Sequence, residues 1–109
     1  MNLDESIKRT HDHLLGVALQ FLDQQSDNLS ASELSGLTCS LERGIQWFAN
    51  RLRSTHINQI PGNSRCFWSM IDAINFWVDS FDPRWRYSNE DGRKRYLEWS
   101  NSCADEAIA

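Results

Sequence analysis

The stretch from Leu29 to Arg53 constrains the fold most. Leu34, Leu37, Leu41, Ile45, Phe48 and Leu52 recur every three or four residues, which puts them on one face of an α-helix. Ser30 and Glu33 form an S-x-x-E capping box at its start, and Leu29 and Leu34 stand where a hydrophobic staple would place them. The spacing predicts one amphipathic helix ending near Arg53, with Arg51 and Arg53 favoured by its negative C-terminal end.

Three more segments follow the same period. Leu3, Ile7, Leu14, Ala18, Phe21 and Leu22 predict a helix from about Asp4 to Gln25, with His11 within its apolar stripe and Gly16 as a weak point. "STHINQIPGNS" reads as a connection, with Pro61-Gly62 as its turn. Phe67, Ile71, Ile74, Val78 and Phe81 then mark a helix from about Ser64 to Phe81, flanked by Met70 and Trp77. Asp82-Pro83 ends it, since proline lacks the N–H that a helix needs. Ser88 and Asp91 can cap a last helix from Asn89 to about Ala104, on which Tyr96, Trp99, Cys103 and Ala107 share a face. No strand-like alternation occurs. The expected fold class is all-α, a small compact bundle of about four helices. At 109 residues it forms a single domain, 1–109, with ends expected to fray at about 1–4 and 105–109.

Several functions lack their chemistry here. There is no Walker loop, no G-x-S-x-G and no G-x-G-x-x-G. The carboxylates fall on polar faces or in first turns, so an enzyme is not expected. His11 and His13, two apart on a helix, point to nearly opposite faces and cannot share an ion. His13 is expected in solvent, and a buried His11 would make an association pH-sensitive. Cys39, Cys66 and Cys103 form no C-x-x-C pair, which argues against zinc and for reduced, mostly buried thiols. No cofactor or metal is expected. "MNLDESIKRT" lacks an apolar signal core, and no run of about 20 apolar residues suits a membrane. Position 2 is asparagine, not the glycine that myristoylation needs, so the cytoplasm is the expected location.

What remains is a surplus of aromatic surface. Five tryptophans and nine arginines sit in a chain of net charge −4. Phe81 to Trp99 interleaves both types, and a nucleic-acid-binding regulator using the Arg84–Arg95 region is the alternative reading. Against it, Asp79, Asp82, Glu90, Asp91 and Glu98 largely cancel the field that a phosphate would feel. In an extended link Trp85 and Tyr87 would face one way, onto the bundle, and Arg84 and Arg86 the other, toward carboxylates or a partner. Trp47 lies off the Leu34–Leu52 stripe beside Arg43 and Arg51, matching the composition of binding hot spots. Phe76 falls among Asp72, Asp79 and Ser80, with Trp68 near the same side. The expected function is regulatory: an inhibitor, anti-activator or adaptor that binds another protein, for instance a transcription regulator, through an aromatic helical surface. The expected protein-binding residues are Arg43, Trp47, Arg51, Trp68, Phe76, Trp85 and Arg86. The same faces suit a homodimer.

Overall fold

The structure, a computed structural model, describes residues 2–59, 64–81 and 90–109, with side chains throughout except at 56–59 and 64. Every regular element among them is helical: α1 (Leu3–Gln24), a short 3-10 turn (Ser26–Asn28), α2 (Ala31–Arg43), α3 (Ile45–Gln59), α4 (Ser64–Asp79) and α5 (Glu90–Ile108). Five α-helices therefore stand where about four were expected. The expected Ser88 cap and the Pro61-Gly62 and Asp82-Pro83 turns lie outside the described residues.

Local chemistry accounts for the ends. The Asn2 side chain accepts the Glu5 N–H at 2.8 Å, and Asp4 and Glu5 occupy the positive first turn of α1. The capping box is formed in both directions: Ser30 Oγ accepts the Glu33 N–H at 3.1 Å, and Glu33 Oε1 accepts the Ser30 N–H at 3.2 Å. Leu29 is buried, and Leu34 packs partly buried on the core.

The additional helix comes from Gly44. Its φ of 150° and ψ of 152° lie in a region essentially reserved for glycine. Its N–H still bonds to Ser40 and Leu41 carbonyls, while its own carbonyl accepts the Phe48 N–H, so one helix closes as the next opens. The expected single helix to Arg53 is thus two. The apolar rhythm crosses the break undisturbed because each half keeps its own stripe: Leu37 and Leu41, then Ile45, Phe48 and Leu52, are all buried. α3 turns back along α2, bringing the Arg51 guanidinium over Gly36. It also continues to Gln59, through what reads as a connection, so Arg51 and Arg53 sit inside a helix and Arg43 takes the last turn of α2.

α4 is the central element, packed against α5 and α3 and touching α1. Phe67, Met70, Ile71, Ala73 and Ile74 are all fully buried, and Phe67 meets Phe21 of α1 edge-on at 5.1 Å. Phe81, expected on this stripe, is instead exposed and lies edge-on against Trp77 at 4.8 Å. α4 has ended by then, so the chain no longer carries that position toward the core.

Of the Tyr96, Trp99, Cys103 and Ala107 face of α5, only Ala107 is fully buried, and the rest of the buried side is made by residues off that face. Leu97, Ser100, Ala104 and Ala107 are enclosed, whereas Trp99 is exposed and Tyr96 and Cys103 are half-buried. Small residues let α5 approach α4 closely, and Ser100 donates its hydroxyl proton to the Ala73 carbonyl at 2.5 Å. The helix runs to Ile108 rather than Ala104, and Gln24 donates to the Ile108 carbonyl at 3.2 Å. The described residues span 43 × 23 × 23 Å. That cross-section is about two helix diameters, so each helix keeps an outward face.

Candidate functional site

Among the described residues, large apolar side chains remain at the surface on several parts of this bundle. Trp47 is the most exposed of them at 62%. The fold-back at Gly44 places it in a groove with Gly36, Cys39, Ser40 and Arg43 on the α2 wall and Asn50, Arg51 and Ser54 on the α3 wall. Arg43 and Arg51 are both exposed. Among the described residues no carboxylate lines the groove, so it forms a cationic, aromatic-edged trough on an acidic protein. Arg43, Trp47 and Arg51 are therefore brought together as expected, but by a helix break rather than one helical face. Gly36 matters to this wall: a Cβ there would lie 3.0 Å from Arg51 Nη2, so the missing side chain makes room for the guanidinium.

Trp68 and Phe76 lie elsewhere, on α4. Trp68 is 41% exposed. Phe76 is half-buried, because α5 lays two rings against it: Trp99 at 5.6 Å and Tyr96 at 6.0 Å, themselves edge-on at 5.3 Å. A shallow pocket opens beside this cluster, lined by Phe76, Trp99, Ser102 and Cys103. Burial pushes the Cys103 thiol above its ordinary pKa, and the nearby Asp72 and Glu106 carboxylates push it the same way. Across the same helix pair, Arg65 bonds to Glu106, which raises the arginine's pKa further. Trp99 and Tyr96 were legible only as residues sharing a face, and the spacing did not place them beside Phe76.

Of a third strip only His11 was singled out from the sequence, and its partners Leu15 and Leu19 were missed. His11, Leu15 and Leu19 succeed one another every four residues along α1, and Leu19 is 54% exposed. With Leu41, Gly44 and Ile45, and with Thr38 and Glu42 at its polar edge, they line a largely apolar groove where α1 passes the α2–α3 corner. The signal lay in that i, i+4, i+8 spacing beside the main stripe. His11 is half-exposed with its ring 5.2 Å from Trp77, whose indole N–H donates to the Ile7 carbonyl at 3.1 Å.

The remaining expectations divide. Trp85 and Arg86 lie outside the described residues, as does most of the Arg84–Arg95 region. His13, expected in open solvent, pairs with Asp105 at 2.9 Å while staying exposed. Cys39 is exposed, contrary to the expectation of mostly buried thiols, and Cys66 and Cys103 are half-buried. Among the described residues no group of three or more His, Cys, Asp or Glu is placed to hold a metal, and no helix is long and apolar enough to cross a membrane. Compared with known family models, curated proteins and solved structures, the chain matches none.

Proposed function

We propose that this chain is a small cytoplasmic regulatory protein that acts by binding another protein through the α2–α3 groove. The observation that carries the reading is Trp47, 62% exposed between two exposed arginines in a groove without a carboxylate among its described residues. Exposing an indole to water is unfavourable, and tryptophan and arginine are among the residues most enriched at hot spots. The partner is a segment with an apolar side chain to lie on Trp47 and carboxylates to meet Arg43 and Arg51. The mode of action is steric: an inhibitor, anti-activator or adaptor covering a surface its target needs, such as the dimerisation face of a transcription regulator. Self-association through another aromatic face accompanies this role.

The test is affinity capture with the wild type and Trp47→Ala side by side, each checked by circular dichroism. The variant is expected to fold normally and to lose at least about 2 kcal/mol of binding to the captured protein. Binding that survives moderate salt separates this reading from phosphate recognition, which weakens steeply. Equal capture by both proteins refutes the role of the groove, and unfolding of Trp47→Ala refutes the assignment of Trp47 to the surface.

A further inference from the structure

The outward stripe of α5 is matched to itself. Arg95, Trp99, Ser102 and Glu106 follow at intervals of four, three and four residues, and all four are exposed. This is the spacing of a two-helix seam. Reversed end to end, the stripe reads cation against anion and large against small: Arg95 falls opposite Glu106, and Trp99 opposite Ser102. Trp99 also forms one wall of the shallow pocket that Phe76, Ser102 and Cys103 complete, so each copy would carry both the knob and the hole.

We infer that two copies of this chain associate about a two-fold axis with their α5 helices antiparallel. Trp99 of each copy enters the pocket between Phe76, Ser102 and Cys103 of the other, and Arg95 of each faces Glu106 of the other. The inference rests on reading the exposed aromatic residues as binding surface, but it uses a different face from the α2–α3 groove. Two-fold symmetry demands such self-complementarity, since every contact made by one residue of the stripe is returned. Glu106 already bonds to Arg65 of its own chain, yet it is partly solvated and a carboxylate accepts from more than one donor. A face one α5 long and two helices wide measures on the order of 28 × 20 Å. That is somewhat below the roughly 800 Å² per partner of an ordinary stable interface, so the dimer is concentration-dependent and dissociates in the micromolar range.

Sedimentation equilibrium across the micromolar range tests this. The wild type is expected to show a monomer–dimer equilibrium, and Trp99→Ala to remain monomeric with an unchanged helical spectrum. Arg95→Glu and Glu106→Arg singly should each weaken the dimer roughly tenfold, because symmetry counts each reversed surface pair twice. Combined in one chain they should restore it to near the wild-type constant, an outcome that mere damage to the surface does not produce. A wild type that stays monomeric throughout, or a double variant weaker than both singles, overturns the inference. Trp47→Ala should dimerise normally. If Trp47→Ala abolishes the dimer, the α2–α3 groove is the self-association surface and the α5 seam is refuted. A wild type that binds its target but never dimerises would overturn this inference alone.

Discussion

Gly44→Ala should destabilise the protein although it adds a good helix former between two helices. The structure separates the contributions. An alanine Cβ at position 44 would meet Trp47 Cδ1 at 3.8 Å, an ordinary contact, so no steric clash contributes. The cost lies in the backbone: φ 150° with ψ 152° is a conformation that a residue with a Cβ adopts only at about 1–3 kcal/mol. Alanine also narrows the unfolded ensemble, but that gain is realised only where the native dihedrals suit it. The net expectation is a loss of about 2 kcal/mol, which for a domain of this size lowers Tm by roughly 8 °C. Gly16 is the internal control. It lies inside α1, and a Cβ added there would meet nothing within 4 Å, so Gly16→Ala should stabilise by about 1 kcal/mol. Urea and thermal denaturation followed by circular dichroism would read both. If Gly44→Ala raises Tm alongside Gly16→Ala, position 44 is helical, residues 31–59 form one continuous helix, and the groove built on the fold-back does not exist.

Other substitutions probe single features. Gly36→Ala should leave the fold intact or slightly stabilised while displacing the Arg51 guanidinium, so target binding falls with no loss of Tm. Ser30→Ala removes one half of the capping box and should cost about 1 kcal/mol in urea denaturation. Ser100→Leu should destabilise by about 1–3 kcal/mol or more, because α5 has no room there for a larger side chain against α4. Among the thiols, Cys39 should alkylate fastest at neutral pH, and Cys103 slowly, since a raised pKa leaves little thiolate. Asp72→Asn should speed Cys103 alkylation without affecting Cys39, as mass spectrometry of the labelled protein would show.

The sequence by itself determined the helical class, the capping box at Ser30, and most of the core. A helix repeats its environment every three or four residues, so Leu37, Leu41, Phe48, Leu52, Phe67, Ile71 and Ile74 announce their burial through spacing alone. The type of residue on the candidate surfaces was legible too, since Trp47 stands off its stripe between arginines. Tertiary structure decided the rest. The break at Gly44 was invisible because the apolar rhythm runs through it, and a glycine's sequence context does not reveal its dihedrals. Most of the buried side of α5 was hidden because Ser100 and Ala104 carry little hydrophobic signal. Their value lies in being small beside Ala73, and only the approach of a second helix gives smallness a meaning. That choice left Trp99 exposed and Tyr96 half-buried, so which aromatic residues of α5 meet water was settled by how closely α4 and α5 pack, as the break at Gly44 settled it for Trp47.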